Sequence, residues 1–215
     1  MKVLVGCEHS QIVAQEFRKR GHDAYSCDLL ETDGDPRHHI QGNVLDYLNE
    51  GWDLGIFHPD CTYLTIAAEW AYKDEQTKKI KPGTLIGAKR REAREQAIEF
   101  VKQLWAAPIE KKALENPVGV LSTRWREPDQ FIQPYEYYED ASKKTCLWLE
   151  NLPRLVPVKL YPPRLALQKN GKGYAFRWGN QTDSGQNKET PSDDRWKNRS
   201  KTFQGWAKAM AEQWG

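Results

Sequence analysis

Polar or reactive side chains follow several short apolar runs of this 215-residue chain. Such runs predict buried parallel strands, and ligands of open α/β sheets bind beyond the carboxyl ends of the strands. We therefore expect the side chains that follow these runs to share one edge of a sheet. They lie in the segments Gly6-Cys7-Glu8-His9, Asp28, Asn43, Pro59-Asp60-Cys61 and Glu115-Asn116.

Cys61 is the member of this set with the chemistry of a nucleophile. It follows the apolar run 52–57 and a proline, a position that presents a thiol to a cleft, and the thiolate is the reactive form of cysteine. A lone cysteine is otherwise most often an inert buried side chain. The adjacent Asp60 would raise the pKa of the thiol unless its carboxylate points away. We interpret His58 as a structural residue at the end of a strand rather than as a base.

Asp28 ends the second apolar run, where a carboxylate can hold the two hydroxyls of a ribose. An ordinary turn-forming aspartate is an equally good interpretation. A Rossmann dehydrogenase is disfavoured, because no Gly-x-Gly-x-x-Gly follows the first strand.

The elements that must position these residues alternate between strand and helix patterns. Ser10 is a plausible N-cap of the first helix, and Gly21 ends it. The alternation predicts an α/β fold with a mostly parallel, doubly wound sheet. The predicted strands are 2–7, 23–28, 52–57, 112–117 and 145–149, and the later helices are 88–105 and 205–214.

Composition narrows the class of protein. The formal net charge of +2 shows no global polybasic character, so a nucleic-acid surface would have to be local. The four cysteines are scattered without a Cys/His cluster, which disfavours a metal site or a disulfide framework. The longest apolar run is too short to span a bilayer and no secretory signal is visible, so we expect a cytoplasmic protein without a membrane partner.

We expect residues 1–215 to form a single domain that carries a polar, loop-rich lobe at about 160–199. Residues 73–81 read as a mobile loop. The lobe mixes basic and aromatic side chains, which suits phosphate contact and base stacking; a solvated polar lobe is an equally weighted alternative. Those side chains are Lys169, Lys172, Tyr174, Phe176, Arg177, Trp178, Lys188, Arg195, Trp196, Lys197 and Arg199.

Two of the strand-end segments resemble motifs of the cytosine-5 DNA methyltransferases. Pro59-Asp60-Cys61 resembles their Pro-Pro-Cys motif, and Glu115-Asn116-Pro117 resembles Glu-Asn-Val. The chain is more closely similar to a short, phage-associated cytosine methyltransferase-like family. Its members carry a Cys-Glu opening turn, Ser-Cys-Asp-Leu in the second strand, His-Pro-Pro-Cys-Thr-Tyr-Leu, Glu-Asn-Pro, Leu-Trp-Leu and a related ending, so the resemblance spans nearly the whole chain.

The resemblance implies a Rossmann-like methyltransferase domain that transfers methyl groups from S-adenosylmethionine to carbon 5 of cytosine in DNA, with RNA not excluded as the substrate. Cys61 would add covalently to the base. Glu115 would stabilise charge at ring nitrogen 3, which requires a raised pKa or a shared proton. Asn116 would hold either the loop that carries Glu115 or the loop that carries Cys61. Lys144 stands where the larger enzymes have an Arg-x-Arg segment near the flipped base. The implied cofactor-binding residues are Gly6, Cys7, Glu8, Asp28, Leu29, Asn43 and Pro59.

Three positions depart from the family pattern. Asp60 replaces a proline, the first turn has few glycines, and Asn43 stands in place of an aspartate, although its carbonyl can still accept a hydrogen bond. These departures keep two alternatives open. One is a catalytically silent nucleic-acid-binding protein on the same fold. The other is a pyrimidine-modifying enzyme that transfers another group or acts on a free nucleotide.

Overall fold

The computed structural model describes residues 1–75, 80, 82–168, 171, 173–189 and 201–215. Its main sheet contains β1 (Lys2–Gly6), β2 (Asp23–Asp28), β3 (His39–Gln41), β4 (Leu54–Phe57), β5 (Lys111–Pro117), β6 (Gln130–Ile132) and β7 (Thr145–Glu150). A separate hairpin consists of β8 (Arg164–Leu167) and β9 (Tyr174–Arg177). The α-helices are α1 (Ile12–Lys19), α2 (Gly87–Trp105), α3 (Leu121–Arg124) and α4 (Gln204–Trp214). Short 3-10 helices cover Pro36–His38, Val44–Tyr47, Glu69–Tyr72 and Pro134–Glu136.

The strands of the main sheet follow the order β3-β2-β1-β4-β5-β7-β6. The first five strands of this order are parallel, and β7 runs antiparallel to both of its neighbours. This arrangement is Rossmann-like, and the predicted α/β fold with a mostly parallel, doubly wound sheet is confirmed.

Alternation along β1 divides the core between the two faces of the sheet, because successive side chains of a strand point to opposite sides. Val3 and Val5 pack with α1 and α4 in one buried cluster. Leu4, between them, packs in the other cluster with the apolar stripe of α2. The helices on both faces therefore shield the strands, which explains why these strands are continuous apolar runs.

Three local predictions need correction. Strand β3 was not predicted, because three residues are too few to show a periodic pattern. The polar lobe contains the regular hairpin β8–β9, whereas loop was expected for most of it. The first helix begins at Ile12 and its N-cap residue is Gln11, not Ser10. Several residues of the predicted lobe and loop lie outside the described residues: 76–79, 81, 169, 170, 172 and 190–199. The single-domain organisation stays a prediction.

None of the helices in the described ranges has the length and apolar character needed to cross a membrane.

A close approach between two loops fixes the segment that follows Cys61. Thr65 forms a β-bridge with Gly119, and the Val120 amide donates to the Leu64 carbonyl at 2.8 Å. A Cβ atom at position 119 would collide with the backbone of Leu64. Glycine is therefore required at 119 by contact with a neighbouring backbone, and not by its own dihedral angles.

We predict that Gly119→Ala destabilises the protein by about 1–3 kcal/mol, the usual cost of forcing extra volume into a packed site. The free energy of unfolding from urea denaturation measures the effect. Val118→Ala, a truncation of an exposed neighbour, serves as the control and should change that free energy by less than about 0.5 kcal/mol. Equal stability of Gly119→Ala and the wild type would contradict this contact.

Candidate active site at the carboxyl edge of the sheet

The strand register brings the predicted site residues to one edge of the sheet. Gly6 lies opposite both Cys27 and Phe57 in the parallel ladder, and Phe57 lies opposite Leu114. Because these strands end at the same level, the residues at or just after their ends lie side by side along one edge of the sheet. Those residues are Cys7, Asp28, His58 and Glu115. The structure thus brings together the strand-end side chains that the sequence suggested.

The turn after β1 places two non-glycine residues in the left-handed backbone region. Cys7 has φ of 61° and Gln11 has φ of 58°. This conformation costs an L-residue roughly 1–2 kcal/mol, and such outliers concentrate at functional sites. Cys7 and Gln11 therefore adopt a backbone conformation in which glycine is the usual residue. Burial, aided by Asp28, raises the pKa of the Cys7 thiol well above its ordinary value, which makes Cys7 a poor nucleophile.

Glu8, predicted to bind the cofactor, holds the start of α1. Its buried carboxylate accepts the amide hydrogens of Val13 at 2.7 Å and Ala14 at 3.3 Å. Ser10, the predicted cap, lies only at the weak limit of 3.5 Å from the Ile12 amide. Burial raises the pKa of Glu8, and the charge of His58 and the helix amides oppose that rise. The carboxylate of Glu8, four residues before the first residue of α1, thus takes the place of the expected hydroxyl cap.

A small cleft of about 40 Å³ opens beside this turn, well below the size of an ordinary small-molecule site. Two of its lining residues, Lys201 and Thr202, come from the segment before α4 and were not predicted. Lys201 pairs with Asp33 at 3.0 Å, which holds the segment against the turn. Only the tail motif, noted as a family likeness, pointed to this segment. The full lining is Cys7, Glu8, His9, Ser10, His58, Lys201 and Thr202.

Asp28, Leu29 and Asn43 lie on the neighbouring strand ends. One Asp28 carboxylate oxygen accepts the Leu30 amide at 2.9 Å, so the turn-forming interpretation describes part of its role. Leu29 is highly exposed for an apolar side chain. Asn43 caps the 3-10 helix Val44–Tyr47 by accepting the Leu45 amide at 3.2 Å. A side-chain carbonyl has a second lone pair, so Asn43 can accept one more hydrogen bond.

The loop that carries Cys61 is tied to β5. The buried Asn116 amide donates to the carbonyl of Pro59 at 2.8 Å. Beyond Cys61 the chain turns, since the Cys61 carbonyl accepts the Leu64 and Thr65 amides. The thiol is therefore held next to the end of β5 by a side chain that the resemblance assigned to such a role.

Two buried arginines of α2 fasten the same loop from the opposite side. Arg94 donates to the Tyr63 carbonyl at 2.9 Å and to the Glu69 carboxylate at 2.6 Å. Arg90 contacts the Thr62 carbonyl, and both guanidinium groups lie against the Tyr72 ring. The sequence analysis did not single out these two arginines, because only their contacts with backbone carbonyls of the loop reveal the role.

Three neighbouring charges and burial set the reactivity of Cys61. Burial raises the pKa of the half-buried thiol, Asp60 adds to that rise, Lys143 opposes it, and Glu115 raises it further. The Asp60 carboxylate itself is turned to Thr62, accepting its amide at 3.0 Å and its hydroxyl at 2.8 Å. Asp60 thus disfavours the thiolate through space while forming a turn, without a hydrogen bond to the sulfur.

Glu115 is paired with His58. His58 Nδ1 lies 3.2 Å from Glu115 Oε2, and both side chains are nearly buried. Burial by itself raises the pKa of Glu115, but the hydrogen bond from His58 and the positive charges of Lys143 and His58 outweigh it, so the pKa is lowered. Of the two expected alternatives for Glu115, a raised pKa or a shared proton, the raised pKa is therefore wrong. The interpretation of His58 as merely structural missed its contact with Glu115.

Lys143, rather than the predicted Lys144, faces the site. Lys144 is exposed, with its ammonium 4.2 Å from the centre of the Phe131 ring. Lys143 is half-buried, and its charge lowers the pKa of both Cys61 and Glu115. Adjacent residues of an extended chain point to opposite sides. The pairing of Thr145 with Pro117 across β5 and β7 decides which lysine faces inward, and sequence alone does not reveal this register.

Three buried polar atoms around Cys61 have no hydrogen-bond partner within the described residues: His58 Nε2, Glu115 Oε1 and Asn116 Oδ1. Buried polar groups of native proteins are nearly always satisfied. Three exceptions on two adjacent strand ends indicate a place built for a polar ligand. Among the described residues, no cluster of His, Cys, Asp and Glu side chains is suited to hold a metal ion.

Comparison with known proteins adds little to this geometry. No family model and no curated protein matches the chain. A solved structure from Escherichia coli, described as a candidate DNA modification methyltransferase encoded within a prophage, is similar over 75% of this chain, with 11% identity and a TM-score of 0.42. The match covers 52% of that chain, so this chain spans about half of its length. A likeness at this level says nothing about activity or substrate.

We predict that Lys143→Gln raises the pKa of the Cys61 thiol, because it removes the positive charge that favours the thiolate. Iodoacetamide alkylation of Cys61, followed by mass spectrometry against pH, should slow roughly three- to tenfold near pH 8, equivalent to half to one pKa unit. Asp60→Asn should shift the profile in the opposite direction.

Lys144→Gln is the matched control, since it removes the same charge one residue away on the exposed side. Its alkylation profile should equal that of the wild type. Equal profiles for Lys143→Gln and Lys144→Gln would contradict the placement of Lys143.

Proposed function

We propose that this protein transfers methyl groups from S-adenosylmethionine to carbon 5 of cytosine in DNA, with Cys61 as the covalent nucleophile. The observation that carries the proposal is the cluster beside Cys61. A half-buried thiol lies with two buried, unpartnered acceptor atoms, Glu115 Oε1 and Asn116 Oδ1, on the edge of the sheet that also borders the cleft. A planar base with polar atoms along one edge matches this arrangement.

The chemistry needs each of these groups. Carbon 5 of cytosine is a poor nucleophile, so the Cys61 thiolate first forms a bond from Sγ to carbon 6. Ring nitrogen 3 takes up a proton at the Glu115 carboxylate, and carbon 5 gains the electron density to attack a methyl group. The carbon 5 hydrogen then leaves as a proton, the bond between Sγ and carbon 6 breaks, and ring nitrogen 3 gives its proton back. A base in a duplex must leave the stack to reach Cys61.

The cofactor assignment follows from the strand ends next to this cluster. When bound, S-adenosylmethionine supplies an activated methyl group. Asp28, at the end of β2, would bind the ribose hydroxyls, and the exposed Leu29 would contact the adenine. The small cleft beside Cys7 and Glu8 would receive one polar end of the amino acid portion. The unpartnered Nε2 atom of His58, which lines that cleft, fits a polar occupant.

The hairpin β8–β9 supports a polymeric substrate over a free nucleotide. Four large apolar side chains share one of its faces at 56–67% exposure: Leu165, Leu167, Tyr174 and Phe176. A solvated polar lobe would not expose such a face, whereas unstacked bases can pack on it. Asn180 joins this lobe to the site, since its side chain makes two hydrogen bonds with the backbone of Ser142, next to Lys143.

A catalytically silent nucleic-acid-binding protein is the second candidate function. Burial and Asp60 both raise the pKa of Cys61, which favours the unreactive thiol. Such a protein would keep the exposed hairpin face and bind DNA without modifying it. An enzyme that transfers another group through the same adduct would instead leave a base of different mass.

We predict that Cys61→Ser abolishes methylation, because a serine hydroxyl at this site lacks a comparable nucleophilic anion. DNA from cells that express each protein, sequenced at base resolution, should contain 5-methylcytosine for the wild type and none for the variant. Complete methylation by Cys61→Ser would contradict the nucleophile assignment. Unmodified DNA from the wild type, together with retained DNA binding, would favour the silent protein.

We predict that two variants affect cofactor affinity and methyl transfer differently. Cys61→Ser should keep the affinity for S-adenosylmethionine, whereas Asp28→Ala should weaken it by roughly 1.5–3 kcal/mol, the range for hydrogen bonds to charged groups. Isothermal titration calorimetry measures both. Equal affinity of Asp28→Ala and the wild type would rule out the ribose contact.

A further inference from the structure

His58 connects the two halves of the proposed site. It follows β4 directly, and its backbone amide donates to the Gly6 carbonyl at 3.0 Å, which fixes it beside the turn after β1. One ring nitrogen, Nδ1, contacts Glu115 Oε2 at 3.2 Å. The same ring lines the cleft. The imidazole therefore separates the place proposed for the base from the place proposed for the cofactor.

Each side chain of the His58–Glu115 pair has one polar atom without a hydrogen-bond partner among the described residues. His58 Nε2 and Glu115 Oε1 are buried and have no hydrogen-bond partner within the described residues. An imidazole with Nδ1–H donated to a carboxylate can carry one more proton at Nε2, and the carboxylate can carry one at its outer oxygen. The pair thus offers two positions for a single additional proton.

The proposed reaction creates a demand for such a proton. Cytosine needs one at ring nitrogen 3 when the thiolate adds to carbon 6. Glu115 alone is held ionised by His58 and Lys143, against the effect of its own burial, because its pKa is lowered. A carboxylate in that state has no proton to give. The imidazole of His58, which contacts that carboxylate, has a second ring nitrogen that can hold a proton.

We propose that His58 and Glu115 act as one unit, in which His58 holds the proton that Glu115 presents to the base. The inference rests on the proposed function, since it assigns the source of the proton for that reaction. With the additional proton on the outer oxygen Oε1 of Glu115 and Nδ1–H of His58 donated to Oε2, the proton passes from Oε1 to ring nitrogen 3 as Sγ bonds to carbon 6, which leaves neutral imidazole and carboxylate. When the bond to sulfur breaks, the proton returns to the pair. The proton from carbon 5 leaves to solvent.

Several charged groups surround the pair and act on the same equilibrium. Positive and negative charges face it from the turn after β1, from the Cys61 loop, and from the segments before β7 and α4. Those titratable groups are Cys7, Glu8, His9, Asp60, Cys61, Lys143 and Lys201. A variant at His58 that keeps these groups therefore isolates the contribution of the imidazole.

His58→Asn is the decisive variant, because an asparagine amide can replace Nδ1–H as a donor to Glu115 but cannot carry a proton. The pair binds its proton at least as tightly as Glu115 beside a neutral donor. The pH optimum of methyl transfer, measured with tritiated S-adenosylmethionine and DNA, should therefore move to lower pH by about one unit. His38→Leu, a histidine on the outer edge of the sheet, should leave the optimum in place.

A second variant gives a readout that does not depend on activity. His58→Leu removes both the hydrogen bond and the charge that lower the pKa of Glu115. The carboxyl carbon signal of Glu115 in NMR spectra, assigned by its loss in Glu115→Gln, should then titrate at higher pH than in the wild type.

An unchanged pH optimum in His58→Asn would overturn the proposal, since the imidazole would then serve only to position Glu115. An unchanged Glu115 titration in His58→Leu would also overturn it. If the wild type transfers no methyl group, the proposed function fails, and the Glu115 titration alone decides whether the two side chains form a unit.

Discussion

The hydrogen bond from Asn116 to the Pro59 carbonyl is the constraint on which the site depends. It joins the ends of the adjacent parallel strands β4 and β5, after the ladder between Leu54 and Phe57 has set their register. With that bond in place, His58 reaches Glu115 and Cys61 lies beside them. A slip of one residue in this ladder would reverse the direction of Glu115 and Asn116. The packing of the sheet thus determines the geometry of the chemistry.

The site holds opposing electrostatic demands within a small volume. The proposed thiolate of Cys61 is favoured by positive charge and disfavoured by burial. The proposed binding of a cytosine base, in contrast, is favoured by exclusion of water. The positive charge of Lys143 acts on both residues, because it lowers the pKa of Cys61 and the pKa of Glu115. Asp60 works against the thiolate, yet its turn with Thr62 shapes the loop that α2 clamps. Structure and reactivity therefore compete at this residue.

Much of the fold could be predicted because its signals are local. The parallel sheet was predicted from the apolar runs at β1, β2, β4 and β5. The residues that follow these runs predicted the edge of the sheet at which the candidate site lies. The three-residue β3 and the hairpin β8–β9 gave no such signal, since short pairings depend on contacts distant in sequence. The cap by Glu8 instead of Ser10 was likewise a tertiary outcome, because the carboxylate must fold back over the turn to reach α1.

The electrostatics of the site could not be predicted from the sequence. The resemblance implied a raised pKa or a shared proton for Glu115. The pKa is lowered instead, because His58 and Lys143, neither of which had been assigned to the site, outweigh the effect of burial. Choosing Lys144 over Lys143 failed for a related reason, since the direction of a side chain before β7 depends on the register with β5. Residue types near a motif are visible in sequence, but the distances between their charges are not.

Covalent trapping tests the central claim most directly. Duplex DNA of random sequence that contains 5-fluorocytosine would be incubated with the protein and S-adenosylmethionine. Fluorine at carbon 5 cannot leave as a proton does, so the bond between Sγ and carbon 6 should persist. Mass spectrometry of the digested complex should find a methylated fluorocytosine nucleotide on the peptide that contains Cys61. An adduct on another cysteine, or no adduct with a protein that binds both DNA and cofactor, would contradict the account.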